Sequence, residues 1–246
     1  MINKFLKISV WVLTIAAIAC LWYFSHKEHV GHPLKGVELT LLRETEEGFI
    51  DKDVVYQKIM AICDTAKNKD ITMIPLDSIR NYIKSIPWAI YTDANITLDE
   101  VMVVNIAECQ PIMRVYNKNG RSVYLDADGN VYPDKSGYSM HLLIGSGYIT
   151  DENLPKVFKV MKSVLNNSYS NCCVKQVYFD GKNYELVMNN VDMKVVLGDD
   201  KDVDEKLMNL KYFFEQMQGS PELKNYCKIN FNFENQVVCT KNKTKK

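Results

Sequence analysis

From Ile8 to Phe24 the chain is apolar or small at every position except Thr14. Seventeen such residues at 1.5 Å rise reach roughly 25 Å, the short end of a bilayer core, so the run predicts one membrane-spanning helix over 8–25. Trp11, Trp22 and Tyr23 lie towards its ends, where amphipathic rings prefer an interface. The small-residue stretch Ala17-Ile18-Ala19 before Cys20 resembles a processing site, but Leu21 to Phe24 carry the apolar run past it, which predicts an uncleaved anchor. Lys4 and Lys7 precede the run and Lys27, Lys35 and Arg43 follow it, so charge does not set the orientation. The long remainder is expected outside the cytoplasm, leaving 1–7 as a short head and 26–35 as a linker.

Beyond the linker the pattern changes to short alternating runs and helical stripes. Val37 to Leu42 reads as a strand. Asp51 is placed to cap a helix carrying Val54, Val55, Ile59 and Ile62. A second helix follows Pro75 with Leu76, Ile79, Ile83 and Ile86 on one face, ended by Pro87. Two strands, 89–96 and 101–107, complete a β-α-α-β-β unit over 36–109. From Gln110 a second unit runs to 240. Asp126 to Asn130 and Asp180-Gly181 mark hairpin turns, and 174–179, 184–188, 193–197, 228–233 and 236–240 read as strands. Helical stripes run through Leu154, Val157, Phe158, Met161 and Leu165, and through Val203, Leu207, Leu210, Phe214 and Met217. The predicted class is α+β: one N-terminal transmembrane helix, the β-α-α-β-β unit, then a strand-dominated β domain with flanking helices. Residues 241–246 read as a disordered basic tail.

Composition narrows the function. Lys+Arg 30 balance Asp+Glu 30, so there is no basic face for nucleic acid, and hydrophobic residues at 47% indicate a folded chain. Seven cysteines at irregular spacing form no CxxC pair, which argues against structural zinc. His26, His29 and His32 form a spaced string, but Gly31 and Pro33 disfavour the helix that would align them, and a solvated linker explains them better than metal. Asp126, Asp128 and Gly129 lack the later ligands of a calcium loop. His141 with Cys172 or Cys173 is the only pairing suited to thiolate catalysis, and no nucleophile signature surrounds it. No catalytic residue, cofactor or small-molecule substrate is expected.

Ser85-Ile86-Pro87-Trp88-Ala89, followed by Ala94 and Ile96, is similar to the helix-to-strand junction of POTRA domains. Glu108-x-x-Pro111-Ile112 and Tyr124-Leu125-Asp126-x-x-Gly129-x-x-x-Pro133 resemble the junction and first hairpin of the FtsQ/DivIB cell-division proteins. Leu142 to Gly145, Tyr184 to Asn190 and Val195 to Gly198 are similar to later strands of that family, and Ile229 to Cys239 to the final strands of Bacteroidetes-type members. The family's arginine after the junction glutamate is Cys109 here, and the head is short.

The resemblance implies a POTRA domain over 36–109 and a β domain over 110–240, in a non-enzymatic scaffold of the divisome that links early division proteins to septal peptidoglycan synthesis. It implies a single-pass inner-membrane protein with its folded part in the periplasm, enriched at the septum. The implied partners are FtsB- and FtsL-like proteins through the β domain, with other divisome proteins through POTRA. The matching partner segment is Phe231, Phe233 and Asn235, Gln236, Val237, Val238 and Cys239, where the family offers an unpaired edge to an added strand. A polar tail cannot cover that edge, and β-branched Val237 and Val238 favour extension. The competing reading is a POTRA-containing export or outer-membrane assembly factor, against which the single unit and the lack of a barrel-sized remainder count.

Overall fold

The computed structural model describes residues 2–29, 32–43, 48–65, 70–134, 140–189, 191–233 and 236–242, and within the first helix the side chains of 10–24. The chain divides into two compact units, 1–109 and 110–246.

Helix α1 (Ile2–His29) holds the apolar run. Among the described residues no helix is long and apolar enough to cross a membrane. This corrects two expectations. The transmembrane helix in the predicted fold class is not supported, and neither is the single-pass inner-membrane placement that followed from it. What stands is a mixed α+β chain with a large sheet.

The first unit contains β1 (Gly36–Leu42), α2 (Lys52–Cys63), a short 3-10 turn (Ile71–Met73), α3 (Leu76–Lys84), β2 (Ala89–Ile96) and β3 (Val101–Glu108). The strands order as β1-β3-β2, with β3 parallel to β1 and antiparallel to β2. The Asp51 carboxylate accepts the Asp53 and Val54 N–H groups and so starts α2. α3 stops at Lys84, short of the expected Ile86, because a residue before proline is pushed out of helical geometry. On β3 the period of two sends Met102, Val104 and Ile106 inward, where they join Ile59, Ile79 and Ile83 in the core. Trp88 is also buried, with Phe49 stacked 3.6 Å away and 4° from parallel.

The second unit contains β4 (Met113–Tyr116), β5 (Ser122–Leu125), β6 (Val131–Pro133), β7 (Leu143–Gly147), α4 (Leu154–Asn166), α5 (Ser168–Cys173), β8 (Val174–Phe179), β9 (Tyr184–Met188), β10 (Lys194–Gly198), α6 (Val203–Gln216), β11 (Tyr226–Phe233) and β12 (Gln236–Lys241). They form one nine-stranded sheet in the order β12-β11-β10-β9-β8-β7-β4-β5-β6. Three neighbouring pairs are parallel: β4–β7, with β5 and β6 between them in the chain, and β7–β8 and β10–β11, whose crossovers α4 with α5 and α6 supply. Val157, Met161 and Val164 of α4 and Leu207 and Leu210 of α6 share one core with Val177, Leu186, Val195 and Ile229 of the sheet. Asp126 organises the β5–β6 turn. Its Oδ1 accepts the Asp128 and Asn130 N–H groups at 2.9 Å each, and its Oδ2 accepts the Asn130 amide and the Tyr132 hydroxyl.

Candidate functional site

The two ends of the nine-stranded sheet are unlike. β6 is three residues long and ends in Pro133, which shortens and blunts that edge. At the other end, β12 is six residues long and, among the described residues, pairs on one side only, antiparallel to β11. Lys228 faces Thr240, Ile229 faces Cys239 and Asn230 faces Val238. In such a strand alternate residues turn both N–H and C=O towards the partner, and the others turn them outward. The outward set is a row of donors and acceptors open to another strand.

Side chains alternate with the same period. Val237 and Cys239 are half-buried and pack against the core under α6, while Gln236, Val238 and Thr240 point out. Phe231 is core: only 3% exposed, it meets Phe213 of α6 edge-to-face at 6.1 Å. Phe233 shares its parity but lies beyond a register shift, and is 45% exposed. Asn235 lies outside the described residues. Burial pushes the Cys239 thiol above its ordinary value, so it stays protonated and unreactive near neutrality.

Both ends of the hairpin are fastened. The Asn232 side-chain oxygen accepts the Asp199 N–H at 3.2 Å. Gly198 has φ +90°, and a Cβ there would stand 2.0 Å from that same oxygen, so glycine is required by both conformation and space. At the far end, the Asn242 backbone N–H donates to the Asn225 carbonyl at 2.7 Å and its side-chain amide to the Lys224 carbonyl at 3.0 Å. The exposed Cys227 thiol donates to the Thr240 carbonyl at 3.5 Å. Neither strand contains an acidic residue, whereas Lys228 and Lys241 give the hairpin a positive bias. These fasteners escape sequence reading, because Asn232 and Asn242 act through local geometry rather than periodicity. Gly198, which ends an apolar run before Asp199-Asp200, is the one hint of them.

Apart from Asp199, whose N–H meets Asn232, the other candidate residues take no part in fastening this edge. Cys172 is exposed and Cys173 half-buried, and burial pushes the nearby Tyr169 hydroxyl up to about 12. His141 lines a groove with Asn171 where β7 and β8 begin. His32 stands 2.6 Å from Glu100, while the side chains of His26 and His29 lie outside those described. Among the described residues no group of three His, Cys, Asp or Glu side chains is placed to hold a metal. In the acidic run, Asp199 pairs with Lys206 at 2.6 Å as α6 begins.

No curated protein matches the chain. The family model described as FtsQ/DivIB, C-terminal related, matches residues 110–240, which are 131 of the 246 residues and contain the whole nine-stranded sheet up to the last residue of β12 but one. The family is a non-enzymatic one. With more than half of its length matched, the chain belongs to the FtsQ/DivIB C-terminal-related family of cell-division proteins.

Proposed function

We propose that this protein is a scaffold of the bacterial divisome, linking early division proteins to the septal peptidoglycan machinery through protein–protein contacts. In this reading FtsB adds a strand to the outer side of β12 and brings FtsL with it, while the β-α-α-β-β unit over 36–109 acts as a POTRA domain for other division proteins. The observation that carries it is the one-sided pairing of β12 in a sheet whose opposite edge is short and proline-ended. Open edges are aggregation hazards, so a long one held rigid at both ends suits an interface that a partner occupies. The core packing of Val237 and Cys239 fixes the strand, and the backbone supplies the recognition.

Two proline variants test this. Neighbouring residues of a strand send their N–H groups to opposite sides, so of Val237→Pro and Val238→Pro one removes an outward donor and the other a β11–β12 bond. The outward variant is expected to keep the fold, read by circular dichroism, and to lose FtsB in a pull-down. Retention of FtsB at the wild-type level by both folded variants would place the contact elsewhere in 110–240.

A further inference from the structure

A second surface of the 110–246 unit has the character of a protein-docking groove. A cleft of about 770 Å³ lies where the parallel strands β4, β7 and β8 begin, beside the C-terminal end of α4. Half-buried Ile112, Leu142 and Leu165 form apolar walls. Three basic side chains line it: His141, Lys162 and Lys175. Lys162 is held in place, its Nζ donating to the Ala127 carbonyl at 2.7 Å and lying 5.5 Å over the Phe158 ring. His141 and Lys175 are exposed. Among the described residues no acidic side chain lines the cleft; of the two carboxylates flanking Ala127, Asp126 is committed to its own turn and Asp128 is exposed and not among the lining residues.

An apolar trough under an unbalanced basic rim is complementary to a chain that carries both apolar and acidic side chains. The cleft is open rather than enclosed, which suits a peptide segment better than a small molecule. The amides of Asn166 and Asn171 add donors and acceptors for a backbone laid along it. We propose that this groove docks a segment of a protein partner that carries acidic and apolar side chains together, as a contact separate from the β12 edge. The inference rests on the reading that this unit works through protein contacts, but it does not depend on where FtsB binds.

The test uses the full chain and a labelled synthetic peptide rich in leucine and glutamate, with fluorescence anisotropy as the readout. Saturable binding is expected, weakened about fivefold or more by combined His141→Glu and Lys175→Glu, and weakened by salt because the charges are solvent-exposed. The Leu165→Glu variant should weaken it too, and the outward proline variant of β12 should bind as wild type. Absence of saturable binding, equal binding of a leucine–lysine peptide, or indifference to the groove substitutions would overturn the proposal. Loss in the proline variant alone would assign the peptide to the edge and equally overturn it. If the groove variants lose the peptide while neither proline variant loses FtsB, the groove stands and the edge reading fails.

Discussion

The guanidinium of Arg43 stands 3.6 Å from the carboxylate of Glu108, whose side chain is only 3% exposed. The other carboxylate oxygen, Oε1, accepts the backbone N–H groups of Phe49 and Ile50. Gly48 completes the cradle, since a Cβ there would lie 2.6 Å from both Glu108 oxygens. Glu108 thus fastens the segment before α2 to the end of β3. Removing one member of a buried pair leaves the other charge uncompensated, so Glu108→Ala is expected to lose about 3 kcal/mol of stability. Denaturant unfolding checks this; a loss under about 1 kcal/mol would mean that the ion pair is replaceable by water.

Trp88 sits in the same region, stacked on Phe49 with its own ring 4% exposed. Truncation to alanine should cost about 3–5 kcal/mol, through lost transfer energy and the cavity left behind. A thermal melt of Trp88→Ala that overlays the wild type would contradict this packing.

Alkaline pH should destabilise the 110–246 unit. Burial pushes the hydroxyls of Tyr169 and Tyr184 from 10.0 up to about 12. In the unfolded chain these groups lose their protons near 10, while in the fold they keep them to about 12. The unfolded state therefore binds fewer protons between those values, so the stabilisation is complete below pH 10 and is lost as pH climbs towards 12. Tyr184→Phe should flatten that decline, measured as the denaturant midpoint against pH. At the acid end the sign reverses. The Asn183 backbone N–H holds the Asp180 carboxyl below its ordinary range, so its contribution is full above that range and fades on acidification.

Gly198→Ala forces a Cβ onto the Asn232 side chain at a backbone angle that alanine resists. The expected effect is a loss of about 1–3 kcal/mol, together with weaker FtsB binding because the hairpin loses its upper fastener. Asn232→Ala should weaken binding with a smaller stability cost. Unchanged FtsB capture by both variants would separate hairpin rigidity from recognition.

Periodicity carried most of the architecture. The alternation in Val101 to Ala107 and the stripe from Val203 to Met217 were legible because one face of each element meets the core. α5 was not legible, since six residues, Ser168–Cys173, are too few to show a helical stripe, and its start depends on the Asn167 side chain accepting the Ser170 N–H. Strand order was not legible either. Nothing local in β11 and β12 reveals that β11 runs parallel to β10, a pairing set by the α6 crossover. At the candidate edge a strict period of two would turn Phe231 and Phe233 to the same face. The register shift between Asn230 and Phe233 parts them, with one in the core and the other exposed. The apolar run of α1 misled most: it reads as a membrane span, yet among the described residues no helix is long and apolar enough to cross a membrane.

The most direct test of strand addition is amide hydrogen exchange on the full chain, with and without FtsB. Outward N–H groups of Gln236–Lys241 have no partner strand among the described residues and should exchange quickly in the protein alone, while their inward neighbours are protected by β11. With FtsB bound, the outward amides are expected to slow strongly, at alternate positions along the strand. Unchanged exchange along β12 in the FtsB-bound protein would contradict strand addition at this edge.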